Sequence, residues 1–432
     1  MNPKRNFKKY YYLFLVALLS FFLFWGCIKD EDIDPISDPE LARNDFYHLM
    51  NDWYLWYDEM PAININDYNS PAELLEALRY LPLDKWSYIT SVEAYMQYYK
   101  EGQYVGHGFG YKLDMEGNYR ISFVFNNSPI DLVGVKRGWK ILNINGITVD
   151  ENSNISLMCG ENIIGVQNNF KFENNSGSIV NISVAKDTVK MNTVLHQNTL
   201  LIDGKTIGHM VLKSFIQPTE YELDETFSFF QSAGTEELIL DLRYNGGGSM
   251  NVTTYLASLI TGQGTNNQTF VKYIHNDKRT SKNYSKNFEE EYNSLNLERL
   301  IVITTKASAS ASESLINGLK PYINVILIGD DTYGKPVGMY AKIYEDYVFV
   351  PICFKITNVN DEGDYYDGIT VNAYVDDNLS KQFGDLEEDC LKEAIYYIKY
   401  GTFSGLPVKR RKEIFEKPEI YLKGLKSEIG AI

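Results

Sequence analysis

The sequence has little of several residue types that define other protein classes. Cysteine occurs only four times in 432 residues, and Cys159, Cys353 and Cys390 are far apart, so neither a disulfide framework nor a cysteine metal site is predicted. We expect these three thiols to be buried in apolar surroundings. Lysine and arginine are outnumbered by aspartate and glutamate, 41 to 57, and the net charge of −16 argues against nucleic acid as a partner.

The N-terminus carries a targeting segment, residues 1–27. Basic residues precede the apolar run Tyr10 to Trp25, and Gly26-Cys27 closes it. This pattern resembles a bacterial lipoprotein signal with lipidation of Cys27, and an uncleaved membrane anchor is the alternative. Both predict an extracytoplasmic, membrane-attached protein. The lipoprotein interpretation implies the outer membrane, in the periplasm or at the cell surface. Residues 28–44 are predicted to be an acidic linker, which resembles the export tag of surface lipoproteins in Bacteroidetes-like bacteria.

Changes of hydrophobic period divide the rest of the chain. Residues 45–101 are predicted to form a small helical domain, with a capping box at Ser70 and an aromatic face of Phe46, Met50, Trp53 and Tyr57. Residues 102–185 shift to the two-residue period of strands. Residues 186–400 alternate strands with helices, which predicts an α/β layered core within a chain that is α+β overall. Residues 401–432 are predicted to be a tail whose basic run Lys409 to Lys412 is solvated.

Two segments of the third region carry chemistry. Lys306-Ala-Ser-Ala-Ser-Ala-Ser-Glu313 places small hydroxyl residues at the start of a predicted helix, and Asp330-Asp-Thr-Tyr-Gly-Lys335 presents a lysine after a strand. A lysine whose pKa is lowered by burial can take the proton of a serine, and helix N–H groups can hold an oxyanion. Helix capping by Ser310 and Glu313 also accounts for the serines. The pair predicts a serine–lysine hydrolase.

These motifs resemble those of the tail-specific, or C-terminal processing, serine peptidases (peptidase family S41). In that family the middle serine is the nucleophile and the base lies 25 residues further on, a spacing that Ser310 and Lys335 fit and Ser308 and Ser312 do not. A second family signature appears as Leu240-Asp-Leu-Arg-Tyr-Asn-Gly-Gly-Gly248.

The resemblance implies further roles in the site. The oxyanion hole combines the N–H of Ala311 with that of Gly246 or Gly247, and Asp241 and Arg243 brace the glycine turn. No metal and no organic cofactor is implied.

The resemblance also implies the fold, a ClpP/crotonase-like protease core with an inserted PDZ-like domain at residues 102–185. The strand and turn Trp139-Lys-Ile-Leu-Asn-Ile-Asn-Gly146 carry the PDZ likeness. The glycine-rich loop is predicted to bind substrate through Gly108, Phe109 and Gly110, and His107 is predicted to be a loop residue rather than a base. In the core, a strand is predicted at Gly368 to Val371 and a closing helix at Gly384 to Ile395.

One position departs from the family pattern. Members often carry a glutamine four residues after the lysine, where this chain has Met339, and a thioether is a weak acceptor. The leading hypothesis is a membrane-tethered serine endopeptidase that cleaves extracytoplasmic polypeptides, with the PDZ-like domain recognising their C-terminal tails. The alternative is a weak or inactive homologue that binds peptides or partner proteins without cutting them. The oligomeric state is left open.

Overall fold

The computed structural model describes residues 39–81, 83–405 and 424–432. Cys27, most of the acidic linker and the basic run Lys409 to Lys412 lie outside these residues. Within them, no helix has both the length and the apolar character needed to cross a membrane.

The N-terminal helices pack through the predicted aromatic face. Pro39–Trp53 and Pro71–Leu78 are α-helices, and the first already begins inside the segment predicted as linker. Phe46 and Met50 are fully buried, with the Phe46 ring 5.1 Å from that of Phe349. Ser70 caps the second helix by accepting the N–H of Glu73 at 3.2 Å, as its capping box predicts.

The helical expectation for residues 45–101 was wrong at one place. Tyr88–Ser91 is a strand that pairs antiparallel with Tyr347–Val350, which in turn pairs with Lys342–Tyr344. Helix resumes at Val92–Met96 and continues as a π-helical turn, Gln97–Glu101. The pairing depends on a partner strand more than 250 residues away, which local periodicity cannot reveal.

Residues 103–190 fold as a β-rich domain around Phe109, Ile121 and Phe170. Its main sheet is antiparallel, and its strands in spatial order are Phe109–Leu113, Tyr119–Val124, Lys140–Ile144, Gln167–Glu173 and Ile179–Ala185, with Ile147–Thr148 beside the third. The strands Gln103–Gly106 and Asp187–Lys190 pair with each other. The helices are Pro129–Leu132 and Ile155–Met158.

A six-stranded sheet forms the α/β core. Its strands in order are Val194–Ile202, Lys205–Leu212, Glu237–Asp241, Arg299–Thr304, Asn324–Gly329 and Ala373–Tyr374, with the first pair antiparallel and the others parallel. Along Glu237–Asp241, Leu238 and Leu240 face one apolar layer and Ile239 faces the other. Helices Thr219–Ser232, Met250–Thr261 and Ala311–Leu319 pack in the first layer, and Asp389–Tyr400 covers the second.

A second sheet and one helix complete the chain. Tyr284–Asn287, Thr269–His275, Ile352–Thr357 and Val337–Met339 form an antiparallel sheet in that order. The strand predicted at Gly368 to Val371 is wrong, because Ile369 N donates to Thr332 Oγ1 at 2.7 Å rather than to a neighbouring strand. The closing helix begins at Asp389, five residues later than predicted. Leu425–Ile429 is a helix in the segment predicted to be a tail.

The three thiols are buried as predicted, and each lies in a different packed unit. Cys159 is in the β-rich domain, Cys353 in the first layer of the core and Cys390 in the second. Burial raises the pKa of Cys159 and Cys353 to about 12.

A buried arginine joins three carboxylates at the carboxyl end of the strand Glu237–Asp241. Arg243 is 1% exposed and donates to Asp241 at 2.9 Å, Asp377 at 2.9 Å and Glu388 at 2.7 Å. Arg137 of the β-rich domain donates to the same Asp377 at 2.8 Å. Burial alone raises the pKa of Asp377, but the charges around it, including both arginines, hold that pKa well below its ordinary value. These ions fix the turn after Asp241 and tie the β-rich domain to the core.

We expect Arg243→Met to lower the free energy of unfolding by about 3–5 kcal/mol, because three buried carboxylates lose a shared cation. Urea denaturation at neutral pH measures it. The matched control is Lys272→Met, which breaks the surface pair with the 72%-exposed Asp361 and should cost no more than about 1 kcal/mol. Equal losses in the two variants contradict the role given to Arg243.

Candidate active site

Ser310 lies at the start of the helix Ala311–Leu319 in a strained conformation. Its φ is 57° and its ψ is −111°, a region that suits glycine. The other two serines of the motif have structural partners: Ser308 Oγ donates to Leu242 O at 2.8 Å and Ser312 Oγ to Asn245 O at 2.9 Å. Ser310 instead donates its backbone N–H to Glu313 Oε2 at 2.8 Å, a bond that does not use its hydroxyl. Of the three hydroxyls, that of Ser310 is the one positioned for chemistry.

The glycine turn packs directly against Ser310. A Cβ on Gly247 would lie 2.9 Å from the Cβ of Ser310, so a side chain is excluded there. The N–H of Gly247 donates to Asn245 Oδ1 at 2.9 Å and is therefore already used. Within the ranges that the structure describes, the N–H groups of Gly246 and Ala311 have no acceptor. Of the two glycines predicted for the oxyanion hole, Gly246 has the N–H that is free for it.

Lys335 is buried with few polar partners for its ammonium group. It is 7% exposed, and its Nζ lies 3.9 Å from Met339 Sδ and 5.8 Å from the centre of the Trp86 ring. Burial lowers the pKa of Lys335, and the charges of Glu428, Asp84 and Glu313 oppose that change. A lysine in this position is more readily neutral than one in water, which is the state that a base needs.

One carboxylate holds together the helix that begins after Ser310 and the loop that carries Lys335. Glu313 Oε2 accepts the backbone N–H groups of both Ser310 and Lys335, each at 2.8 Å. Glu313 Oε1 accepts from Thr332 Oγ1 and from Gly334 N, each at 2.6 Å. The backbone nitrogens of Ser310 and Lys335 are therefore no more than two hydrogen-bond lengths apart. Burial raises the pKa of Glu313, but all four donors favour its ionised form.

The predicted substrate-binding loop lies in the β-rich domain. The N–H groups of Gly108 and Phe109 donate to the backbone oxygen of Ile432, and a Cβ on Gly110 would lie 2.2 Å from the ring of Phe123. His107 is buried, with Nε2 2.6 Å from Asn168 Oδ1, and burial lowers its pKa to about 4. Its surroundings fit a structural loop residue.

Sequence reasoning missed three residues around Lys335. Trp86 and Glu428 belong to segments remote from both motifs, and nothing local marked them. Lys213 had a signal, since it is the single lysine in the apolar run Thr206 to Phe215. It is 3% exposed, and burial lowers its pKa to about 8.

Similarity to known proteins covers the same regions. Residues 206–352 match the model of peptidase family S41, and residues 43–88 match the peptidase S41 N-terminal domain. Carboxy-terminal processing protease CtpA of Bacillus subtilis is 28% identical over 238 residues, 54% of this chain and 48% of the relative. Carboxyl-terminal-processing peptidase 1, chloroplastic, of Arabidopsis thaliana is 23% identical over 340 residues, 74% of this chain and 68% of the relative. The chain thus spans about half the length of the bacterial relative.

A solved structure shares the fold. The crystal structure assigned to an S41 protease of Bacteroides fragilis superposes with a TM-score of 0.67 at 24% identity, covering 85% of this chain and 99% of that one.

In most helical positions a glycine variant is less stable than an alanine variant, and the strained backbone at Ser310 predicts the opposite order. We expect Ser310→Gly to be more stable than Ser310→Ala by about 1–3 kcal/mol, because glycine adopts this conformation without strain. Thermal denaturation of the two variants measures the difference. At Ser312, inside the same helix, the glycine variant should instead be less stable than the alanine variant by about 0.5–1 kcal/mol. The same order at both positions contradicts the strain.

Proposed function

Because the chain carries the peptidase family S41 domain together with its N-terminal companion domain, we propose that it is a serine endopeptidase with a Ser310–Lys335 dyad. One observation carries the proposal: a single oxygen of Glu313 accepts the N–H groups of both residues. These two hydrogen bonds hold the helix that follows a strained serine beside the loop that carries a buried lysine. Proximity of that kind is what acyl transfer requires of a nucleophile and its base.

The reaction proceeds in two halves. Neutral Lys335 takes the proton of Ser310 as its oxygen attacks the peptide carbonyl, and the ammonium then protonates the leaving amine. Water repeats the sequence on the acyl-enzyme, giving its proton to Lys335, which returns it to Ser310 as the acid leaves. The N–H groups of Ala311 and Gly246 hold the negative oxygen of each tetrahedral intermediate.

We assign substrate binding to the β-rich domain, which we take to be PDZ-like. Gly108 and Phe109 present N–H groups beside a strand edge, an arrangement that suits the end of an extended chain. The substrates are polypeptides outside the cytoplasm, and the protein reaches them from a membrane through lipidated Cys27. Export rests on the N-terminal sequence pattern alone.

Peptide binding without cleavage is the competing function. Met339 favours it, because its sulfur, 3.9 Å from Lys335 Nζ, replaces an amide that could orient the base. The intact Ser310 and Lys335 oppose it. The two functions differ in whether Ser310 reacts with an acylating probe.

We expect one adduct on the protein spanning residues 28–432 after incubation with an alkylfluorophosphonate, measured by intact mass. Ser310→Ala and Lys335→Met should give none, because they remove the nucleophile and its base. The matched control is Lys306→Met, which removes a lysine of the same motif whose Nζ bonds to Thr332 O at 3.1 Å. It should keep the adduct. No adduct on the wild type supports the binding function instead.

The rate of probe labelling should rise with pH through the pKa of Lys335. Protonated lysine cannot act as a base, so the rate is low below that pKa and levels off above it. Burial lowers this pKa from the ordinary 10.5, so the rise should fall below pH 10.5. Labelling rates from pH 6 to 10.5 measure it, and a flat profile contradicts the role of Lys335 as the base.

A further inference from the structure

The last residue of the sequence is bound by the glycine-rich loop of the β-rich domain. The backbone oxygen of Ile432 accepts three N–H groups: from His107 at 2.9 Å, Gly108 at 2.6 Å and Phe109 at 3.3 Å. Ile432 N donates back to Phe109 O at 2.9 Å. Three converging N–H donors form a nest that suits a negatively charged oxygen. The segment therefore binds as a ligand binds, with Ile432 in a nest at the start of the strand Phe109–Leu113.

The side chain of Ile432 fills an apolar pocket. It is 4% exposed and belongs to the same packed cluster as Phe109, Ile121 and Ile130. Gly106 borders this position so closely that a Cβ there would lie 2.7 Å from the carbonyl carbon of Ile432. The loop thus has both a polar and an apolar site for this one residue.

The rest of the segment fills the space between the β-rich domain and the core. Leu425, Ile429 and Ala431 are each 9% exposed, whereas Lys426 and Gly430 are exposed. The three buried residues pack in a cluster that includes Met339, the neighbour of the lysine, and several tyrosines, Tyr88, Tyr98, Tyr104 and Tyr244. The segment therefore packs beside Met339, four residues after Lys335 in the sequence.

Glu428 brings a negative charge to the dyad. Tyr98 Oη donates to its backbone oxygen at 3.0 Å, and Tyr99 Oη donates to its carboxylate. Burial raises the pKa of Glu428, and the charges of Lys335 and Lys213 oppose that rise. A carboxylate beside Lys335 favours its ammonium form, which cannot act as a base.

We propose that residues 424–432 are an internal ligand of this chain that occupies the path of the substrate and holds the peptidase in a blocked state. The inhibitory part of this inference rests on the proposed function, whereas occupation of the groove does not. Release needs only the separation of this one short segment from the groove. Its helix has five residues, too few to be stable once it is separated.

Tethering sets the size of the effect. A segment joined to its own site has an effective concentration in the millimolar range, so a peptide Kd in the tens of micromolar predicts blocking by about 10- to 100-fold. The released protein is the double variant Ile429→Asp, Ile432→Asp, which places charge in the two apolar contacts. Lys426→Ala, at an exposed position of the same segment, is the matched control.

Two measurements are made on the protein spanning residues 28–432. The first is binding of the fluorescein-labelled peptide Leu-Lys-Ser-Glu-Ile-Gly-Ala-Ile, residues 425–432, followed by anisotropy; it needs no catalysis. The second is the rate of alkylfluorophosphonate labelling. The released variant should bind the peptide and label about 10- to 100-fold faster than the wild type and Lys426→Ala, and added peptide should slow it again.

The outcomes separate the two proposals. If the released variant binds the peptide, the wild type does not, and neither protein is labelled, the result supports occupation of the groove and overturns the peptidase function. Equal peptide binding by wild type and released variant shows an open groove and overturns the internal ligand. Labelling of both forms at the same measurable rate overturns the blocked state. Gly106→Val provides a second variant should the double variant fail to fold. Its side chain would occupy the space that the backbone of Ile432 fills. It should label faster than wild type without binding the peptide.

Discussion

The site depends on the hydrogen bonds of one buried carboxylate. Glu313 takes four donors from two elements that are separate in sequence, the helix that begins after Ser310 and the loop that carries Thr332, Gly334 and Lys335. Burial penalises its charge, and only a full set of donors makes that charge acceptable. The serine and the lysine of the proposed dyad are thus positioned by main-chain groups, which leaves their side chains available for the proposed chemistry.

Much of the fold followed from local patterns. The alternation of apolar strands and amphipathic helices predicted the layered core, in which Thr219–Ser232 is a helix and Glu237–Asp241 and Asn324–Gly329 are strands. Those elements are determined by the residues within them. Tyr88–Ser91 was missed because it is a strand only through its distant partner. Gly368 to Val371 has the sequence pattern of a strand, but the N–H of Ile369 donates to a loop side chain instead of a neighbouring strand.

The dyad was predicted from motif spacing, which named Ser310 without a physical reason. In the structure the hydroxyls of Ser308 and Ser312 are bound to carbonyls, which supports the proposed role of Ser310. The preference for Gly246 over Gly247 in the proposed oxyanion hole could not be predicted, because it depends on the side chain of Asn245. Glu428 could not be predicted either. Its place follows from a groove whose walls come from several separate segments between Tyr88 and Val350.

The distribution of the thiols gives the molecule a set of internal reporters. Cys159, Cys353 and Cys390 are buried one to each packed unit, and burial raises the pKa of each. A thiol reagent reaches such a group only when its own unit opens, so the order in which the three are modified records the order in which the β-rich domain and the two core layers loosen. The native sequence thereby permits a residue-resolved map of local opening without introducing a single label.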